Sequence, residues 1–201
     1  MLEVVVDMID DGEQLARTFQ DGDQGAFGDL VEVYQERFYR VSYRVLGNPE
    51  EALDVVQDAF VKIHDRIDTW DRESRFSSWA YRIVTNLAID GLRRKTRERK
   101  AVEGRAQEAP EYLEDRAADG LLAEEQRELV RQVQEAIERL PDGQRAVVAL
   151  RHYEGFSLKD IALVRGCALG TVKSTLHQAF RSLRKSLGAD LLERVAAQPG
   201  S

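Results

Sequence analysis

The stretch Ser157–Lys185, SLKDIALVRGCALGTVKSTLHQAFRSLRK, holds two helical patterns separated by a glycine. Ser157 followed by Asp160 is a capping-box-like start, with Asp where the box usually carries Glu or Gln. Leu158, Ile161, Ala162 and Val164 recur at helical spacing until Gly166 breaks the run. Val172, Leu176, Ala179, Phe180 and Leu183 then share one stripe, at i, i+4, i+7, i+8 and i+11. A short helix, a glycine turn and a longer helix ending in basic residues read as a helix-turn-helix, which places its second helix in the DNA major groove. An ordinary helical hairpin within an all-α domain is the alternative. Cys167 falls in the turn and reads as a small buried filler.

Working outward, charge is distributed unevenly. The chain of 201 residues carries 29 basic and 36 acidic residues, a net charge of −7, which argues against bulk electrostatic adhesion to nucleic acid. Yet Arg82, Arg93, Arg94, Lys95, Arg97, Arg99 and Lys100 face only Asp90 and Glu98 within residues 82–100. Residues 151–185 are also basic on balance. Between these islands, residues 101–123 are acidic, with Glu103, Glu108, Glu111, Glu114, Asp115 and Asp119 against Arg105 and Arg116. Charge blocks of this kind mark interaction segments. The single cysteine excludes an internal disulfide, and no apolar run approaches membrane-spanning length, so a cytoplasmic setting without membrane insertion is expected.

Upstream, residues 12–46 read as helical, with Ala26, Phe27, Leu30, Val31, Tyr34, Phe38, Val41, Val45 and Leu46 at three- and four-residue steps. Gly47-Asn48-Pro49 stops this helix and starts another. Residues 50–66 turn Ala52, Val55, Val56, Ala59, Phe60 and Ile63 inward, leaving Asp54, Gln57, Asp58, Lys62 and Asp65 on a polar face. Residues 67–78 lack a period and read as a loop around Trp70. A helix from about Ser77 to Lys95 buries Trp79, Ala80, Ile83, Val84, Leu87, Ala88 and Leu92, with Arg82, Thr85, Asn86, Ile89 and Arg93 on its other side.

The whole reads as all-α: two small helical domains, 12–100 and 124–188, joined by the acidic linker 101–123. Fully extended, a linker of that length spans roughly 76–83 Å, so the domains can reach separated sites. The second domain has about four helices and ends with the helix-turn-helix.

Catalytic patterns are absent. His64, His152 and His177 have no metal-ligand spacing, and there is no phosphate-binding glycine loop or nucleophile elbow. The chain reads as a non-enzyme that calls for no cofactor. Nucleic-acid features are stronger. Arg82, Arg93, Arg94 and Lys95 suit phosphates, and Trp70 and Phe76, in or beside the loop, are candidates for stacking unpaired bases. Trp79 lies on the apolar stripe and reads as core.

The segments DVVQDAFVKIHDRIDTWD and RFSSWAYRIVTNLAIDGLRRK resemble region 2 of bacterial sigma factors. LPDGQRAVVALRHYEGFSLKDIALVRGCALGTVKSTLHQAFRSLRK resembles their region 4. Two blocks in the right order, covering nearly the whole chain, are similar to an extracytoplasmic-function (ECF) sigma factor of the sigma-70 family. The resemblance implies that Asp54, Gln57, Asp58 and Lys62 bind the clamp helices of the RNA polymerase β′ subunit. It implies that the Thr69–Phe76 loop, with Arg82, Asn86, Arg93 and Arg94, opens the −10 element and captures flipped bases. It also implies that region 4 binds the β-flap and reads the −35 element of promoter DNA, with Thr171, Lys173, Ser174 and His177 toward bases or phosphates and Arg181 and Arg184 on the backbone. Many relatives are held by an anti-sigma factor. Family members often carry more basic residues where this chain has Thr175 and Gln178, so promoter choice is expected to differ there. Two rivals remain on the residues alone: a helix-turn-helix repressor or activator binding duplex DNA by itself, and a helical protein-interaction module.

Overall fold

The computed structural model describes residues 12–101 and 124–196, all of whose regular elements are helical. The acidic linker expected over 101–123 lies, from residue 102 on, outside the described residues. Helix α1 covers residues 12–20, and α2 (Gly25–Leu46), α3 (Pro49–Arg66) and α4 (Phe76–Ala101) complete the first unit. The second contains α5 (Glu124–Glu138), α6 (Asp142–Val148), a π-helical turn (Ala149–Tyr153), α7 (Leu158–Arg165) and α8 (Leu169–Ala196).

The helix expected over 12–46 is therefore two helices. Gly22, at φ 107, ends α1, and the Asp23 carboxylate accepts the Gly25 N–H at 2.9 Å to start α2. Helix α2 stops at left-handed Gly47, whose N–H donates to the Tyr43 carbonyl at 2.7 Å. The Asn48 side chain then caps α3 by accepting the Glu51 N–H at 2.9 Å, with Pro49 in the first turn.

The first unit buries Tyr34, Phe38, Val41, Ala59, Ile63, Ala80 and Val84 almost completely. Each large apolar side chain so buried contributes about 1.5–3 kcal/mol. Helix α4 differs from its expected facing: Thr85 and Ile89, placed outward by the single-stripe reading, are 0% and 3% exposed. The reason is a second neighbour. Helix α4 packs on α2 and α3 and also on α6 and α7, so its buried arc is wider than one stripe. The Thr85 hydroxyl is accommodated there by donating to the Tyr81 carbonyl at 2.7 Å.

The two units are packed together rather than held apart. Ala146, Val147, Ala149, Leu150, Ile161, Val164 and Val172 of the second unit join the core of the first. A smaller cluster, Ala136, Ile137, Leu140, Val148, Ala179 and Leu183, holds α5, α6 and α8 to one another. Polar contacts tie the seam. The buried Arg145 guanidinium donates to the Val45 carbonyl at 2.8 Å, meeting the open C-terminal end of α2, and also to the Glu138 carbonyl. The Tyr81 hydroxyl donates to Glu154 Oε2 at 2.7 Å, and Arg40 approaches the same carboxylate at 3.5 Å. Arg44 donates to Gln134 at 2.6 Å and lies 4.3 Å over the Tyr153 ring.

Candidate nucleic-acid interface

The helix-turn-helix forms as its residues dictate. The Ser157–Asp160 pair closes both arms of a capping box: Ser157 Oγ accepts the Asp160 N–H and Asp160 Oδ2 accepts the Ser157 N–H, each at 3.2 Å. Aspartate thus serves where glutamate is usual. Gly166, left-handed at φ 59, ends α7. Ile161, Val164 and Val172 are at most 1% exposed and set the crossing of α7 and α8, while Ala179, 0% exposed, packs α8 against α5 and α6. Two details depart from expectation. Cys167 is only partly buried, and Phe180 is 44% exposed, its ring edge-on to His152.

Opposite the buried stripe of α8, Thr171, Lys173, Ser174, His177, Arg181 and Arg184 are all exposed, and so is Gln178. Thr175 is half-buried. Ser174 returns its hydroxyl to the Thr171 carbonyl at 2.9 Å, and Arg181 lies 3.5 Å from His177. The structure therefore brings all six predicted residues onto one face of one helix.

On α4, Arg82, Asn86, Arg93 and Arg94 are exposed. Lys95 is not a free cation on that face: its ammonium pairs with Glu51 of α3 at 2.8 Å. Arg82 reaches the helix-turn-helix, since a Cβ added at Gly166 would stand 3.0 Å from its Nη2. Lys159 and Arg82 flank an open groove between α4 and α7. Burial lowers the pKa of Arg165, in α7, and Arg93 across the seam acts in the same direction. The basic face of α4 and the helix-turn-helix consequently adjoin.

The loop before α4 requires a correction. Trp70 and Phe76, expected as exposed stacking rings, are each 1% exposed. They pack edge to face at 5.4 Å, and Phe76 also meets Tyr34 at 5.6 Å. A 3-10 turn over Ile67–Thr69 directs the Trp70 indole inward. Beyond it, the Asp71 carboxylate accepts the N–H groups of Glu73 and Ser74 and the Ser74 hydroxyl at 2.8–3.1 Å. These Ser74 bonds, backbone first, hold the Asp71 carboxyl below the usual carboxylate range. The exposed part of the loop is thus Asp68, Thr69, Asp71, Glu73, Ser74 and Arg75, not the rings.

Asp54, Gln57, Asp58 and Lys62 are exposed on α3, away from the core face of Ala52, Val55, Ala59 and Ile63. Sequence reading missed Leu53 and Val61, which stand 51% and 59% exposed in the same patch. Their signal was available: both are large aliphatics outside the inward period of α3.

Comparison with known proteins gives the class first. The sigma-70 region 2 family matches residues 30–98 and the sigma-70 region 4 family matches residues 130–183, two sigma-factor regions in order. The ECF RNA polymerase sigma factor SigW of Bacillus subtilis is 38% identical over 170 residues, covering 83% of this chain and 91% of that protein. The ECF RNA polymerase sigma-E factor of Escherichia coli K12 is 33% identical, covering 84% of this chain and 90% of its own. Among solved structures, CnrH in complex with the cytosolic domain of CnrY is similar at a TM-score of 0.65 and 28% identity, covering 90% of this chain and 99% of that one. The chain belongs to the ECF group of the sigma-70 family. It is a sigma factor and directs RNA polymerase to promoters. No helix among the described residues is long and apolar enough to cross a membrane.

Proposed function

We propose that the three exposed surfaces divide this work. The α3 patch of Asp54, Gln57, Asp58 and Lys62, with Leu53 and Val61, docks on the β′ clamp helices. The exposed loop and the Arg82, Asn86, Arg93 and Arg94 face of α4 hold the opened −10 element. The α8 face reads the −35 element, with Thr171, Ser174, His177 and Gln178 toward bases and Lys173, Arg181 and Arg184 on phosphates. The observation that carries this reading is the shared exposure of all six predicted α8 residues opposite a buried Val172–Ala179–Leu183 stripe.

Melting on this reading needs no reaction. Captured single-stranded bases stabilise the open form, so binding alone shifts the duplex toward it. The chain catalyses nothing and acts in the cytoplasm with the polymerase. Elements named −10 and −35 lie about 25 base pairs apart, roughly 85 Å at 3.4 Å per pair. The adjoining faces of α4 and the helix-turn-helix cannot serve both at once. The packed arrangement is the resting form, and the two units separate on the polymerase, with the 102–123 segment as tether. An anti-sigma partner fits the same logic. CnrH was solved bound to the cytosolic domain of another protein, and Leu163 and Phe180 offer apolar contacts beside basic side chains.

Run-off transcription with core polymerase tests the proposal. Initiation should depend on the added protein, and on DNA bearing both elements. Tight binding to a palindromic duplex as a dimer, without polymerase, would favour a simple repressor instead.

A further inference from the structure

We propose that Gln20 and Arg17 of α1 are positioning residues for strand capture, holding the loop before α4 in the shape that admits an unpaired base. The inference rests on the assignment of that loop to the −10 element.

The contacts converge on one short segment. The Gln20 amide donates to the Ile67 carbonyl at 2.9 Å and to the Trp70 carbonyl at 3.0 Å. Its oxygen accepts from Arg72 Nε. Arg17 donates to the Arg72 carbonyl at 2.8 Å and lies 5.5 Å over the Trp70 ring, and it is itself anchored by Glu13 at 3.0 Å. Asp21 pairs with the Arg72 guanidinium at 2.5 Å. Residues 17–21, about 50 positions away in the chain, therefore satisfy three loop carbonyls and hold the Arg72 guanidinium at both Nε and Nη2.

Arg72 explains why such fixing is needed. It is at φ 59, the one residue besides glycine with positive φ among the described residues. A side chain disfavours that conformation, which persists only where its surroundings impose it. With Arg72 so held, Trp70 is turned into the core while Glu73, Ser74 and Arg75 remain outside at the start of α4, upstream of Arg82 and Asn86. A loop ordered in advance loses less entropy when a base enters, and so holds it more tightly and more selectively.

The test uses holoenzyme reconstituted from core polymerase and the full chain, carrying Gln20→Leu or Arg17→Met. Each is offered short random-sequence DNA single strands, and the retained strands are sequenced. Wild-type holoenzyme should retain strands with defined base preferences. Both variants should lose about tenfold of that enrichment, while their affinity for core polymerase stays near wild type. Arg17→Lys, which keeps a donor for the Arg72 carbonyl, should retain most of the preference, a rescue that general destabilisation does not predict. Unchanged preferences in both variants overturn the inference and leave the −10 assignment standing. A wild-type holoenzyme with no base preference overturns the assignment, and the inference with it. If Gln20→Leu fails to bind core, the half-exposed Arg17→Met decides alone.

Discussion

Trp70 donates its indole Nε1–H to the Ser74 carbonyl at 2.8 Å, so the largest ring of the loop is hydrogen-bonded to the loop that encloses it. The ring is 1% exposed, against Phe76 and beneath Arg17. Trp70→Ala should therefore cost about 3–5 kcal/mol of stability, the range for emptying an aromatic core site. Phe76→Ala should fall in the same range. Urea denaturation of the purified chain checks both. Loss of promoter opening at unchanged stability would mean that the rings meet DNA after all.

Arg93 and Arg94 are exposed cations toward the far end of α4. Replacing both by Glu should weaken promoter opening and leave core-polymerase binding intact, because α3 presents the docking patch. The salt dependence should flatten as well, by about 0.7–0.9 in the log–log slope for each phosphate that the chain no longer neutralises. Titration of promoter complexes across salt concentrations measures this. Equal loss of core binding would sink the division of labour between α3 and α4.

How far the sequence alone could lead varies with distance along the chain. The capping box at Ser157 and Asp160, the Gly166 turn and the Val172–Leu183 stripe are legible because each is set within one or two helical turns. The exposed face of α8 follows from that stripe. Trp70 and Phe76 escape a sequence reading because a loop has no period, and their burial is decided by Tyr34 and by α1, many residues away. Thr85 and Ile89 escape it because α4 has partners on two sides and periodicity reports only the stronger one. The family resemblance names the surfaces but not the seam. Nothing local marks Glu154 as the carboxylate that meets Tyr81.

His152 gives a pH signature. Burial, and secondarily Arg151, lower its pKa below the ordinary value of 6.5. The folded chain therefore binds fewer protons than the unfolded chain as pH falls through 6.5, and stability rises with pH across that window. Above it the group contributes nothing. The ring is partly exposed beside Phe180, so the effect should be small. Thermal melts between pH 5.5 and 7.5 should show a shallower slope for His152→Gln than for the wild type. Parallel slopes would rule His152 out as a source.

The seam itself can be loosened at one atom. Tyr81 is 2% exposed, and burial first, then Glu154, raises its pKa far enough that the phenol remains a donor at any physiological pH. Tyr81→Phe removes that donor and leaves the Glu154 carboxylate, whose side chain is 5% exposed, with Arg40 at 3.5 Å. A buried acceptor deprived of its partner costs about 1–3 kcal/mol. Separation of the two units restores its hydration as fully as unfolding does, so the substitution should shift the balance from the packed to the separated form without requiring either unit to unfold. Small-angle scattering should record a larger radius of gyration for Tyr81→Phe, with the helix content of the wild type retained. Glu154→Gln, which keeps an oxygen to accept from Tyr81 but drops the charge facing Arg40, should expand the chain less. Equal compactness of wild type and Tyr81→Phe would show that the apolar contacts of Leu150, Ile161 and Val164 hold the units closed without this bond.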